Sequence, residues 1–196
     1  ILYSIAILGI SLASLFQATS AAFEETVTVA GSSFTVGTET GAGVDNNTAL
    51  KFLVNLGGTV ESSNLTDTIN GPDFENIDSA WSDVVLVKIN NSGSQLLDLV
   101  SKAVYINDPN TLRDDIYVNV MAWDDVNNNG LLEEGEEGVS YGYDTILRWR
   151  NDTFSLGSIE PESTRGFVLR FDGGGVTDAN FGQSAVYDFE FTGIGL

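Results

Sequence analysis

Apolar and polar side chains alternate almost one for one along residues 116–123 (Ile-Tyr-Val-Asn-Val-Met-Ala-Trp) and 185–191 (Ala-Val-Tyr-Asp-Phe-Glu-Phe). A period of two puts Tyr187, Phe189 and Phe191 on one face and Val186 on the other. Extended chain packed on one side satisfies that pattern and a helix does not. Residues 25–37 alternate in the same way through Val27, Val29, Phe34 and Val36, with a bend or bulge expected at Gly31-Ser32-Ser33. Shorter apolar runs at 49–56, 84–89 and 167–171 read as further strands. Gly/Asn-rich stretches separate them, at 38–48 and at the long polar connection 59–80 with its Asn70-Gly71-Pro72-Asp73 turn. Residues 84–89 lead through Asn90-Asn91-Ser92-Gly93-Ser94 to 95–100 and 103–106, which reads as a strand pair with a tight connection. Amphipathic helix is indicated only near 95–102. The expectation is an all-β chain folded as a β-sandwich.

In front of the first strand, residues 1–22 carry no charge at all. They lack an initiating Met and a basic segment, so they read as the continuation of a few upstream residues. One meaning is a signal peptide, with small residues at Ala18-Thr19-Ser20 and Ser20-Ala21-Ala22 offering cleavage sites. The other is a retained helix, which at this length would span about 33 Å and could cross a bilayer or line a filament core. Both place the rest of the chain across a membrane.

Charge narrows the partners. The 28 Asp and Glu against 8 Lys and Arg give a net charge of −20, which excludes a nucleic-acid backbone as partner. Without Cys or His there are no disulfides, thiol nucleophiles, imidazole bases or ordinary zinc sites. No phosphate loop or nucleophile elbow is present, and no carboxylate pair is singled out, so neither an enzymatic function nor a small-molecule substrate is expected. The 42% hydrophobic content is that of a packed domain in spite of the charge.

The sharpest chemical signal is residues 125–136, Asp-Val-Asn-Asn-Asn-Gly-Leu-Leu-Glu-Glu-Gly-Glu. Asp125, Asn127, Asn129, Glu133 and Glu136 stand at positions 1, 3, 5, 9 and 12 of a calcium loop, Gly130 at position 6 and the Leu131 carbonyl at position 7. Several hard oxygens in a flexible loop suit Ca2+ better than the smaller Mg2+, and the ion expected here is structural. Other groupings are weaker. Asp172-Gly173-Gly174-Gly175 with Asp178 and Asn180 reads equally well as a turn. Asp114, Asp115 and Asp144 read as a solvated face, and Trp81, Trp123 and Trp149 as packing residues rather than a sugar platform. Four sequons offer Asn46, Asn64, Asn90 and Asn151 as glycan acceptors if the chain is exported to a glycosylating compartment.

Four stretches, in order, carry a family resemblance. Residues 20–26 with Ser33-Phe34-Thr35-Val36-Gly37-Thr38 look like the opening of the TasA/camelysin family of extracellular fibre subunits. Residues 84–94 resemble its valine-rich strand ending in Asn-x-Gly-Ser, 156–163 its Leu-Gly-x-Leu-x-Pro turn, and 178–192 its closing strand. The resemblance implies a jelly-roll-like sandwich exported to the cell surface, similar to bacterial biofilm fibres and archaeal bundling pili. It also implies a helical homopolymer in which the N-terminal strand of one subunit completes the sheet of the next, with filaments able to bundle. Phe23, Val27, Val29, Phe34 and Val36 would be the donor-strand residues, in a chain divided into a leader (1–22), a donor segment (23–37) and a sandwich (38–196). A different class remains open from the residues themselves: a monomeric or membrane-tethered, calcium-stabilised surface or adhesion module.

Overall fold

A computed structural model describes residues 28–29, 33–39, 50–71 and 74–195. They form an all-β sandwich of two six-stranded sheets. In chain order the strands are β1 (Thr28–Val29), β2 (Ser33–Glu39), β3 (Leu50–Leu53), β4 (Leu65–Thr66), β5 (Thr68–Asn70), β6 (Ser82–Asn91), β7 (Leu97–Asn107), β8 (Tyr117–Trp123), β9 (Glu137–Thr145), β10 (Phe154–Ile159), β11 (Ser163–Asp172) and β12 (Ser184–Gly195). One helix, α1 (Ile146–Asn151), follows β9. The first sheet runs β10-β7-β12-β2-β5, with β1 also on β12, and the second runs β4-β3-β6-β11-β8-β9.

The period-two segments become strands because one side of each is buried. Along β12, Ala185, Tyr187, Phe189 and Phe191 point inward with at most 1% exposure, and the intervening residues are partly exposed. Opposite them the second sheet contributes Phe52, Val87, Ile89, Val118, Val120, Phe167, Leu169 and Phe171 to the same core. Burial of this apolar area is what holds the two layers together.

Three expectations are corrected by this arrangement. The stretch 95–102 is strand: Leu97, Leu99, Ser101 and Ala103 of β7 are buried in alternation, a pattern whose period the sheet fits and a helix does not. Strands β6 and β7 are not paired with each other. They lie in opposite sheets, so the Asn/Gly connection arches across the sandwich edge. Asn91 makes that arch: it is fully buried, its Oδ1 accepts from Gly93 N, and its Nδ2 donates to the carbonyls of Gln95 and Ile159. The second carbonyl belongs to β10, whose turn into β11 crosses between the same two sheets, so one amide ties both crossings together. Finally, the polar connection 59–80 is not mere loop. It holds β4, paired with β3, and β5, paired with β2, and buries Phe74 and Ile77.

The N-terminal strand enters the first sheet between β12 and β5. β1 and β2 both run parallel to β12, the other pairings being antiparallel. Val29 lies opposite Ala185 and Phe34 opposite Phe189, so the register slips by one residue between the two pieces. The bend expected at 31–33 falls in this interval, with Gly31 and Ser32 outside the described residues.

Candidate functional site

Two places gather the residues singled out by sequence: the acidic loop 125–136 and the slot that holds the N-terminal strand. The first is positioned by glycines and register, the second by register.

The loop leaves β8 at Trp123 and returns into β9. Across the second sheet, Lys88 of β6, Gly166 of β11 and Trp123 of β8 form one row. Gly166 is required there, because a Cβ on it would lie 2.6 Å from the Trp123 carbonyl oxygen and 3.1 Å from its ring. The gap lets the Lys88 side chain reach over Gly166 toward the indole, with Nζ 5.0 Å from the ring centroid. Gly130, at φ +75°, packs backbone to backbone on Gly57 of the turn after β3; a Cβ on it would meet Gly57 N at 2.5 Å. The loop and that turn therefore cover an outer apolar cluster of Met121, Trp123 and Val168, together with Leu56, Val84, Leu86 and Leu132.

Within the loop the side-chain oxygens of the expected ligand residues already accept hydrogen bonds. Asp125, 8% exposed, accepts Asn129 N on Oδ1 at 3.0 Å, and on Oδ2 accepts Gly130 N at 2.8 Å and the Lys88 ammonium at 2.7 Å. Glu136, 5% exposed, accepts Val126 N on Oε1, and Glu133 N and Trp123 Nε1 on Oε2. Asn127 Oδ1 accepts Asn129 N, Asn129 Oδ1 accepts Leu131 N, and both amides donate through Nδ2 to the exposed Glu133 carboxylate. Leu131 itself is exposed. Among the described residues no three acidic side chains gather closely enough to hold a metal ion. Several oxygen donors aimed at a common point would suit Ca2+; here Asp125 and Glu136 accept from N–H groups and Lys88, and the motif's carboxylates are not gathered around one point.

Lys88 is the residue beside this loop that the motif reading missed. Its signal was in the sequence, as a single cation inside the apolar run Val85-Leu86-Val87-Lys88-Ile89. A charge at such a position needs a partner. The pair has a titration consequence. Burial alone would raise the Asp125 pKa, but the hydrogen bond from Lys88, those from Gly130 and Asn129, and the lysine's charge together hold it below the ordinary carboxylate value. A depressed folded pKa means that the stabilisation is complete above the unfolded value of about 3.9 and is lost as pH falls through the folded one. Urea midpoints measured from pH 6 down to pH 2 are expected to fall below about pH 4, and to fall less steeply for Asp125→Asn.

In the strand slot, Phe34 is fully buried, its ring stacked on Phe189 at 5.8 Å and on Phe191 at 6.5 Å. Val29 stands opposite Ala185 and Val36 opposite Phe191 in the backbone register, while Phe23 and Val27 lie outside the described residues.

The sequons separate by environment. Asn46 lies outside the described residues. Asn64 uses its whole amide on the turn after β3, accepting Asn55 N and donating to the carbonyls of Asn55 and Thr59. Asn90 is 2% exposed and donates to Ser163 O and Thr164 Oγ1. Asn151, at the end of α1, is exposed, as is Thr153. The remaining groupings are structural. Asp172 Oδ1 accepts Gly174 N, Asn180 caps a short 3-10 turn with Thr177 and donates to Asp115, and Asp144 accepts Thr145 N. Trp123 and Trp149 are buried, and Trp81 packs edge-on against Phe74.

No protein-family model and no curated protein matches the sequence. Among solved structures, the ASH/PapD-like domain of human CEP192 (PapD-like domain 7) is similar at a TM-score of 0.21 and 9% identity, over 60% of this chain and 75% of that one. A likeness of that degree transfers neither fold nor function.

Proposed function

We propose that this chain is a non-enzymatic structural subunit of an extracellular filament, whose subunits join head to tail by donating the N-terminal strand to a neighbour's sheet. The observation that carries the reading is the position of β2. It fills an inner place between β12 and β5, although it lies near one end of the chain given and pairs in parallel with β12, 155 residues away at Phe34↔Phe189. Its Phe34 supplies a fully buried ring to the core between the sheets. A second copy's strand in the same register would make the same ladder and bury the same ring, which is how strand addition derives affinity and specificity. The contact uses different surfaces on the two partners, so it repeats without closing.

A jelly-roll-like wrapping accords with the chain path. From β4 onward every connection passes to the other sheet except β8 to β9. A net charge of −20 would keep subunits apart at low ionic strength, so assembly is favoured by salt. On such a filament the exposed Asn151 is, among the described residues, the sequon best placed to carry a glycan. A second reading, a monomeric or tethered surface module, draws on the same strand, because β2 already completes its own sheet without a neighbour.

The deciding experiment compares the full chain with a variant lacking residues 23–39, by negative-stain microscopy and mass measurement at physiological salt. Donation predicts filaments for the full chain, none for the truncated one, and one-to-one capture of a synthetic 23–39 peptide by the truncated chain. Filaments of normal length after truncation defeat strand donation. A full chain whose mass stays monomeric over a hundredfold concentration range would leave the surface-module reading.

A further inference from the structure

We infer that Lys88 is the built-in cation of the acidic loop, its ammonium closing the loop in place of a divalent ion and setting how strongly the fold depends on calcium. Residues 125–136 have the residue types and spacing of a calcium loop, and such a loop is held shut by an ion drawing several oxygens to one point. Here the first position of that loop faces a lysine from another strand. The Lys88 Nζ lies 2.7 Å from Asp125 Oδ2 and 2.8 Å from the Leu56 carbonyl oxygen, over the Trp123 ring. Both side chains are withdrawn from solvent, with 10% of the lysine and 1% of the aspartate exposed.

The ammonium thereby joins three pieces: strand β6, the turn after β3 through Leu56, and the loop through Asp125. A metal at Asp125 would join the loop's own oxygens but has no reason to engage Leu56. Lysine also brings its charge on a tether already paid for in the fold, whereas an ion must be recruited from solution. The remaining loop groups have adjusted to this arrangement. Glu136 is turned to Trp123 Nε1 and to backbone N–H groups, and Asn127 and Asn129 present N–H rather than oxygen to Glu133. Removing the lysine charge reverses the balance: Asp125 is left buried without its counter-charge, a condition that is strongly destabilising, and the oxygen-rich loop becomes free to gather around an added cation.

The test uses the full chain and compares the native protein, Lys88→Met and Lys88→Met/Asp125→Asn. Each is melted in chelator and in millimolar calcium chloride, with magnesium chloride as control, and calcium affinity is read by calorimetry. The native midpoint is expected to move little between chelator and calcium. Lys88→Met is expected to melt lower in chelator, to recover in calcium, and to bind calcium about tenfold more tightly than the native chain, as for two ligands competing for one site. The double variant, which has lost both charges, is expected to regain stability in chelator and to ignore calcium, and it reports on the pair even if Lys88→Met does not fold without the ion. Calcium stabilising the native chain as strongly as Lys88→Met would overturn the inference. So would a Lys88→Met protein that is unaffected in chelator, or a double variant no more stable in chelator than Lys88→Met.

Discussion

Phe34→Ala is expected to destabilise the folded chain by about 3–5 kcal/mol, the range for removing a fully buried aromatic ring from a core. The ring is 0% exposed and belongs to a continuous aromatic stack: Phe34 on Phe189 and Phe191, Phe191 edge-on to Phe52 at 5.8 Å, and Phe189 edge-on to Phe171 at 5.6 Å. Truncation leaves a cavity between the sheets that these neighbours, fixed on long strands, cannot collapse to fill. Equilibrium urea unfolding should show a lower midpoint with an unchanged slope, since the surface exposed on unfolding is nearly the same. The substitution also bears on assembly. If β2 is donated between copies, the lost energy is interface energy, and Phe34→Ala filaments should be short and should dissolve on dilution. If β2 stays in its own sheet, the loss appears only in the stability of the single chain.

Trp149→Ala is expected to cost a similar amount, about 3–5 kcal/mol. Trp149 is fully buried at the foot of α1, its ring stacked on Phe154 with centroids 3.8 Å apart. The room for this stack comes from Gly142 of β9, where a Cβ would stand 2.7 Å from Phe154 Cδ1 and 3.4 Å from the indole. The indole Nε1 donates to the Val118 carbonyl at 3.2 Å, so the tryptophan joins α1 to the sheet by packing and by a buried hydrogen bond. Trp149→Phe keeps much of the packing and loses the hydrogen bond to the Val118 carbonyl, for a smaller loss of about 1–3 kcal/mol. Thermal unfolding followed by near-ultraviolet circular dichroism should order the three proteins native, Phe, Ala. Equal losses for Phe and Ala would mean that the hydrogen bond dominates the packing.

Helix α1 shows why part of the fold was hidden. Its six residues are too few to display a 3.6-residue period, and its local signal is one N-cap, the Thr145 hydroxyl accepting from Arg148 N. The opposite error occurred at 95–102, where Leu96, Leu97, Leu99 and Val100 suit either period, and burial of Leu97 and Leu99 on β12 decided for strand. In the acidic loop the residue types were legible, including the need for Gly130. Lys88 lies 37 residues earlier, and nothing local to either segment says that they meet.

Side-chain alternation is a local property, and by itself it specified that the chain is extended, which face of β12 is apolar, and that two such faces must be buried against each other. Sheet membership is not local. The Asn90–Ser94 connection suits a tight hairpin as well as an arch, and the arch is the form in which Asn91, buried at the crossing, bonds the nearby Gly93 and Gln95 and also the distant Ile159. The same holds for the cation at Asp125. Sequence supplied a loop able to close around positive charge, and the register that sets Lys88 beside Gly166 and Trp123 brought an ammonium to it, because a buried carboxylate and a buried lysine are each costly alone and acceptable together.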